Sequence, residues 1–341
     1  MNIDILTSDG SQRLVTSKTI WGDGWQVGVG GAELALLTMC EEWTRRGDTV
    51  RLYNDPREPN HIFEQLPIRD FDPKDKRDVL IVFRSPNQKA IVADGYKVWW
   101  SCDQYTNGSF ERFAKYVDKT VVISPFHANY FKDTYGISNV VVSDLPVRVL
   151  DYPTVRPEKV HHRFLFSSVP ERGLEQLWRM WPLIRKAIPD AHVVITSDYR
   201  LWGTNAPLNE RFKVRWMAHD GFTFLGAVPR ARLIEEQLKA QIMTYPCIYD
   251  ELFCIAVAEA QYAGIYPITT NAGALPTTNM GTVVNWNAKD QRGDQLFVEL
   301  LEQTLSSPSF PGAVAALQEK ASQRFHPDTI LKYWQEEIFP K

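Results

Sequence analysis

Short apolar segments alternate with helical segments along almost all of the 341 residues, and this alternation restricts the fold more than any single motif does. Strands that alternate with helices predict a parallel sheet covered by helices. The predicted strands of the first half are Ile3–Leu6, Val50–Tyr53, Val79–Phe83, Lys97–Trp100, Thr120–Ser124 and Asn139–Val142. Those of the second half are Phe164–Ser167, Ala191–Thr196, Gly221–Leu225, Ile242–Tyr245 and Tyr266–Thr270. We therefore expect an α/β protein built from doubly wound, Rossmann-like sheets.

The segments between these strands show the apolar spacing of helices that pack on a sheet. The predicted helices are Ala32–Arg46, Pro125–Tyr135, Leu174–Ala187, Arg230–Ala240 and Ile255–Ala263, followed by a helical tail in Gln295–Ser307 and Gly312–Trp334.

The composition changes between Pro146 and His162, where three prolines and a basic cluster predict an interdomain connection. A chain of this length favours two domains, each with its own core. We expect a first domain over residues 1–150, a linker over 151–163 and a second domain over 164–310. Residues 311–341 are expected to be helices that pack back toward the first domain. Two such domains would face each other across a cleft that binds the ligand.

The overall charge and the cysteines exclude some classes of protein. A net charge of −3 gives no general attraction to nucleic acid or to anionic membranes. No apolar run has the length of a membrane span, and the N-terminus lacks a signal-like region. The cysteines lack metal-ligand spacing and predict reduced thiols, which favours a cytoplasmic protein without a metal site. They are Cys40, Cys102, Cys247 and Cys254.

Two acids, Glu251 and Glu259, flank an apolar segment and lie eight positions apart. On a helix, eight residues rise about 12 Å and rotate the second side chain about 80° from the first. The acids could contact hydroxyl groups at the two ends of an elongated ligand, with an anion between them at the free N–H groups of the helix start. A nucleotide-sugar has this layout of ribose, diphosphate and sugar. Two solvated acids on an amphipathic helix are the alternative.

Three further positions could contribute to a ligand site. The glycines Gly30 and Gly31 open the first long helix and could admit a phosphate or sugar, or could form a purely structural turn. Arg172 precedes another helix and could hold a diphosphate through its planar guanidinium, or be an ordinary exposed arginine. Asp103 follows a predicted strand and could accept a hydrogen bond or a proton, or cap a helix. A lone histidine such as His127 is more often structural than catalytic.

Taken together in chain order, these motifs resemble those of the retaining glycosyltransferases of family 4, which have the two-domain GT-B fold. The most specific element is two glutamates separated by seven residues, Glu251 and Glu259, between Tyr245-Pro246 and Gly264. The segment Pro170–Leu174 resembles the family's donor-phosphate loop, and Phe224–Val228 resembles its segment beside the nucleotide base. Gly30 and Gly31 also match a glycine pair in the first domain of this family.

The resemblance implies a role for each matching residue. Glu259 would bind the donor ribose, Glu251 would contact hydroxyls of the transferred sugar, and Arg172 would neutralise the departing diphosphate. Main-chain amides of Phe253, Cys254 and Ile255 would contact the sugar and diphosphate, the Val228 backbone would hold the base, and Gly30 and Gly31 would face the phosphate and the acceptor. The implied catalytic residues are Glu251, Arg172 and Asp103, and no metal or other cofactor is required.

The chain also departs from the family pattern. Cys254 replaces a common glycine, Ser167 lies near a missing basic residue, and Cys102-Asp103 stands where a histidine is more common. The function implied is transfer of a sugar, with retention of anomeric configuration, from a UDP-, GDP- or ADP-sugar. A non-catalytic nucleotide-sugar-binding relative is the alternative. The acceptor stays open among a saccharide, a lipid-linked sugar, a small molecule, a protein and a modified nucleic acid base.

Overall fold

The structure is a computed structural model that describes residues 1–8, 15–22, 24, 27–202 and 219–341. The chain forms two compact units, each with its own parallel sheet. The first unit consists of Met1–Ile20, Val29–Arg148 and Phe325–Lys341, and the second consists of Trp21–Gly28 and Val149–Arg324.

All strand pairs in both sheets are parallel, as the alternating sequence predicts. Within the described residues, the strands of the first unit are β1 Asn2–Leu6, β2 Thr49–Tyr53, β3 Glu64–Leu66, β4 Val79–Phe83, β5 Tyr96–Trp100, β6 Lys119–Val122 and β7 Val140–Val142. Those of the second unit are β8 Arg163–Phe166, β9 His192–Ile195, β10 Phe222–Phe224, β11 Ile242–Tyr245, β12 Tyr266–Thr270 and β13 Thr282–Val284.

The strand order makes each unit doubly wound. The first sheet has the order β3-β2-β1-β4-β5-β6-β7, and the second has the order β10-β9-β8-β11-β12-β13. The order reverses between β1 and β4 in the first sheet and between β8 and β11 in the second. Ligands of doubly wound folds bind beyond the carboxyl ends of the strands at such a reversal. The prediction of two Rossmann-like domains is confirmed.

The helices of the described residues are α1 Ser17–Trp21, α2 Gly31–Arg45, α3 Gln88–Ile91, α4 Phe110–Phe113, α5 Pro125–Tyr135, α6 Leu174–Ala187, α7 Arg230–Lys239, α8 Ile255–Tyr262, α9 Leu275–Thr278, α10 Asp294–Ser306, α11 Phe310–Arg324 and α12 Pro327–Tyr333. In that part of the chain, every helix is too short or too polar to cross a bilayer.

The predicted strands are confirmed with small differences at their ends, but the helical tail is not continuous. Helix α11 ends at Arg324, and α12 begins at Pro327, a residue that suits the first position of a helix. The His326 Nδ1 atom caps this start by accepting from the Asp328 N–H at 3.1 Å. The sequence pattern also missed β3 and β13, two strands of three residues at the sheet edges.

A buried ion cluster surrounds Asp4 in the first sheet. Asp4, in the interior strand β1, and Arg77 have fully buried side chains, with Arg77 Nε at 2.7 Å from Asp4 Oδ2. Arg51 binds the same carboxylate through Nε and Nη2, at 2.7 and 2.8 Å. Because a buried charge costs free energy unless it is paired, Asp4 compensates the buried charge of Arg77.

We expect Asp4→Ala to lower the free energy of unfolding by about 3–5 kcal/mol, because it leaves the buried Arg77 charge without its carboxylate. Asp75→Ala is the control. Asp75 Oδ2 lies 3.2 Å from Nη1 of the same Arg51, but the Asp75 side chain is 42% exposed. The control should cost about 0–1 kcal/mol. Urea unfolding would measure both, and equal losses would contradict the role assigned to Asp4.

Candidate functional site

An ion pair lies at the reversal point of the second sheet. Arg172 follows β8 in a short turn, and Glu251 follows β11, so parallel strands bring the two side chains to the same edge of the sheet. The Arg172 Nη1 atom lies 3.0 Å from Glu251 Oε1 and 3.1 Å from Oε2. Arg172 also covers the ring of Tyr249, at 4.3 Å from the ring centroid. Two residues predicted for the donor site thus bind each other.

A tyrosine completes the surroundings of this carboxylate. Tyr245, the last residue of β11, is fully buried, and its hydroxyl donates to Glu251 Oε1 at 2.6 Å. The same phenol oxygen lies 3.1 Å from Ser168 Oγ. Burial, and then the nearby Glu251 carboxylate, raise the pKa of Tyr245 well above its usual value, so the phenol keeps its proton.

Close backbone packing fixes this arrangement. Gly173 has a φ of 139°, and a Cβ there would lie 2.6 Å from the Pro246 carbonyl oxygen. Gly273, with φ 57°, packs against the backbone of Glu251, so a side chain there would clash. Only glycine adopts these conformations without strain. Gly173 thus lets the Arg172 turn pack on Pro246, and Gly273 lets its own backbone pack on that of Glu251.

The start of α8 follows Glu251 directly. Phe253 is buried, while Cys254 and Ile255 are partly exposed. Cys254 caps the helix in the left-handed region, with φ 74°, and its carbonyl accepts from the N–H of Val257 at 3.1 Å. The N–H groups at the first positions of a helix have no partner within it and suit an anion.

The second glutamate belongs to a different cluster. Glu259 is buried within α8, and its Oε1 lies 2.7 Å from Nη1 of Arg230, each side chain being 4% exposed. Arg230 also donates through Nε to Asp151 at 2.8 Å, and Gln237 donates to Glu259 Oε2 at 3.3 Å. The sequence pattern missed Arg230, although it stands two residues after Val228 in the predicted base segment. Val228 itself is partly exposed.

The first unit has a charged cluster at its own reversal point. Arg84, directly after β4, binds both oxygens of Asp103, through Nε at 2.5 Å and Nη2 at 2.7 Å. Its Nη1 atom binds Glu33 of α2 at 2.5 Å. The Asp103 carboxylate therefore already serves as the partner of a cation, and its predicted catalytic role stays a prediction.

Glycines of the first unit lie beside this cluster. Gly30 precedes α2 and Gly31 begins it, and a Cβ on Gly30 would lie 2.7 Å from Glu33 Oε2. Arg84 itself was missed from the sequence. It has a φ of 64°, a conformation uncommon for residues other than glycine. The signal available was its place directly after the apolar strand β4.

His127 has a structural position in this unit. Its ring is fully buried, Nε2 lies 3.1 Å from the Asp103 carbonyl oxygen, and Nδ1 lies 3.4 Å from the Ile123 nitrogen. A carbonyl can only accept and an N–H can only donate, so Nε2 has the proton and the ring is neutral. Burial lowers the pKa of His127 to about 3.

One group of possible metal ligands lies in the described part of the second unit. It consists of His161, His162 and Asp190, whose ligand atoms all lie within 4.8 Å of one another. His162 Nδ1 contacts Asp190 Oδ1 at 2.5 Å. Asp190 lies 28 positions from His162, so no local pattern predicts this group. All four cysteines are free, as expected for reduced thiols.

The segment that matches a known protein family lies in the second unit. Residues 164–324, which include both glutamate clusters apart from Asp151, match the family model described as glycosyl transferases group 1. An uncharacterized glycosyltransferase of Bacillus subtilis (strain 168), YqgM, is 23% identical over 161 residues, or 46% of this chain. This match covers 43% of the length of that relative.

Solved structures of GT-B glycosyltransferases share the fold of nearly the whole chain. Sucrose-phosphate synthase from Thermosynechococcus elongatus has a TM-score of 0.71 at 14% identity, with 98% of both chains covered. Anabaena HepE in complex with UDP and glucose has a TM-score of 0.68 at 16% identity, also with 98% of both chains covered. A glycosyltransferase from Rickettsia africae has a TM-score of 0.72 at 14% identity, with 98% of this chain and 97% of that chain covered.

The neutral state of His127 predicts a pH-dependent stability. An unfolded histidine has a pKa near 6.5, so below that pH the unfolded chain binds a proton that the folded chain does not. The stabilising contribution is complete above pH 6.5 and is lost as the pH falls toward the folded-state pKa of about 3. At pH 5.5 the loss is about 1.4 kcal/mol relative to pH 7.5.

Urea unfolding of His127→Gln at pH 7.5 and 5.5 tests this expectation. The substitution should reduce the stability lost between the two pH values by about 1.4 kcal/mol. His61→Gln is the control in the same unit, because His61 is exposed. If the free energy of unfolding of both variants depended on pH as that of the unaltered chain does, the buried neutral His127 ring would not be the source of the pH dependence.

Proposed function

We propose that the chain is a retaining glycosyltransferase of family 4, which transfers a sugar from a nucleotide-diphosphate-sugar to a hydroxyl-bearing acceptor. The observation that supports this best is the Arg172–Glu251 pair, which lies beside the start of α8 within the segment that matches the family model. A UDP-sugar is the preferred donor, because HepE, a neighbour in fold, was solved with UDP-glucose. We also propose a cytoplasmic site of action, in keeping with the free cysteines.

In the proposed donor complex, the diphosphate lies between Arg172 and the N–H groups of Cys254 and Ile255. Burial opposes the charge of Arg172, but the Glu251 carboxylate outweighs this effect, and the pKa of Arg172 is raised above its usual value. The side chain stays charged and is 27% exposed, so a diphosphate can reach it. Charge-assisted contacts of this kind are the strong ones in phosphate recognition.

The reaction breaks the bond between the sugar anomeric carbon and the diphosphate oxygen, and the acceptor oxygen bonds to the same face of that carbon. The bonding electron pair leaves with the diphosphate, and the acceptor proton passes to the leaving phosphate oxygen. Arg172 and the helix start stabilise the charge that develops there, which is the main source of rate enhancement in such sites. In this scheme no metal is required.

Roles for the other predicted residues complete the proposal. Glu251 contacts the transferred sugar, Glu259 contacts the ribose, and the Val228 backbone holds the base. We add Arg230 to the residues of the ribose and base site, because it follows the base segment and binds Glu259. In the first unit, the cluster of Arg84, Asp103 and Glu33 beside Gly30 and Gly31 is the proposed acceptor side.

A nucleotide-sugar-binding protein without transferase activity is the second candidate. It is favoured by Ser167, which stands near the position of a basic residue that is common in the resembling family, and by Cys102-Asp103, where a histidine is more common. Release of nucleotide diphosphate from a bound donor would separate the two functions, since a binding protein would raise its melting temperature with donor but release none.

Arg172→Ala should lower kcat by about 100- to 1,000-fold, the usual cost of losing one preorganised charge-stabilising group. The assay is release of nucleoside diphosphate from UDP-, GDP- and ADP-sugars. Arg185→Ala is the control in the same unit, because Arg185 forms an ion pair with Asp220 away from the site. Unchanged turnover in Arg172→Ala would refute the role of Arg172, and no turnover or binding of any donor by the unaltered chain would refute the function.

Glu259→Gln should weaken donor binding by about 10- to 150-fold, the range for a lost hydrogen bond to a charged group. The amide keeps the size of the side chain within the buried cluster. The stabilisation by donor is compared with each variant's own melting temperature, and exposed Glu302→Gln is the control. Equal stabilisation of both variants by the donor would place the ribose elsewhere.

A further inference from the structure

We propose that Tyr245 is a positioning residue that leaves Glu251 able to accept one hydroxyl group of the donor sugar, and so sets the enzyme's choice among sugar donors. This inference rests on the proposed function and adds a role for Tyr245 that the sequence pattern does not identify. It depends on the hydrogen bonds that surround one buried carboxylate.

The contacts of the two carboxylate oxygens are unequal. Oε1 of Glu251 accepts from the Tyr245 hydroxyl at 2.6 Å and from Arg172 Nη1 at 3.0 Å. Oε2 accepts from the same Arg172 nitrogen at 3.1 Å. A carboxylate offers about four acceptor positions, two on each oxygen. Among the described residues, Oε1 therefore has its full number of donors, while Oε2 keeps one position for a ligand.

The direction of the tyrosine hydrogen bond is fixed by chemistry. The carboxylate can only accept, so the single phenol proton of Tyr245 is donated to Glu251. The phenol oxygen can then accept from Ser168 Oγ, which lies 3.1 Å away. Ser168 follows β8 and Tyr245 ends β11, so the hydroxyl chain joins the two central strands of the sheet to the carboxylate. The Glu251 side chain is only 5% exposed, which limits how water could replace these contacts.

Packing alone does not explain the phenol oxygen. The Tyr245 ring contacts Phe166 at a centroid distance of 5.7 Å, a contact that a phenylalanine at position 245 could also make. A buried hydroxyl costs free energy unless it is hydrogen-bonded, and this one bonds to a charged group. The Tyr245 ring therefore packs in the core, and its hydroxyl hydrogen-bonds the Glu251 carboxylate.

Loss of the phenol oxygen would have two consequences for the donor. A second acceptor position would open on Oε1, and the carboxylate could rotate with only Arg172 to orient it. A sugar with its hydroxyl in a different configuration could then be accepted nearly as well as the preferred one. Discrimination against a ligand that lacks the matching hydroxyl depends on buried polar groups that the wrong ligand leaves unpaired.

Tyr245→Phe tests the inference, with Tyr266→Phe as the matched control. Tyr266 begins β12 at the opposite end of the same sheet, and its hydroxyl lies 3.3 Å from Thr282 Oγ1. The measurements are kcat and KM for the donor that the unaltered chain prefers and for its epimers at each ring hydroxyl. We expect Tyr245→Phe to lower kcat/KM for the preferred donor by about 10-fold or more and to reduce selectivity by a similar factor.

A merely structural role for Tyr245 gives a different result. Both tyrosine variants would then lose a few degrees of melting temperature, as a lost hydrogen bond predicts, while selectivity would stay within about twofold of the unaltered chain. That outcome overturns the inference and leaves the proposed function intact. If the unaltered chain binds donors without turnover, dissociation constants for the same sugars replace the kinetic constants. If it binds no nucleotide-sugar, the proposed function fails and this inference fails with it.

Discussion

The parallel pairing of β8 with β11 is the constraint on which the candidate donor site depends. Phe164 pairs with Ile242 and Leu165 with Met243, so both strands end at the same edge of the sheet. Ser168 and Arg172 follow one strand, while Tyr245 ends the other and Glu251 follows it. Their side chains meet because the strand order reverses between these two strands, which leaves a crevice without a crossing helix. The first sheet repeats this arrangement with Arg84 after β4.

Paired charges are the second shared property of the two units. Each carboxylate of the candidate sites has an arginine partner: Arg172 for Glu251, Arg230 for Glu259, and Arg84 for Asp103 and Glu33. A buried charge costs free energy unless it is paired and hydrogen-bonded, and these arginines supply that pairing. A ligand at these sites would therefore share the arginines or use the acceptor positions that they leave.

The sequence predicts the fold well because the relevant signals are local. Strand and helix periodicity, glycine helix ends and the spacing of Glu251 and Glu259 are all visible within short windows. The partners Arg84 and Arg230 could not be predicted in the same way. Arg84 meets Glu33 across 51 positions and Arg172 meets Glu251 across 79, and no local pattern encodes contacts at such separations. The strand order that determines them becomes certain only in the folded sheet.

Cys254 lies at the start of α8, beside the proposed diphosphate site. Its left-handed φ of 74° costs about 1–2 kcal/mol for a residue with a Cβ, and a glycine at this position would avoid that cost. Burial, and then the Glu251 carboxylate, raise the pKa of the Cys254 thiol well above its usual value. The thiol therefore stays protonated and adds no negative charge next to the N–H groups of the helix start. A protonated thiol is therefore compatible with the diphosphate site proposed at this helix start, whereas a thiolate would repel the diphosphate.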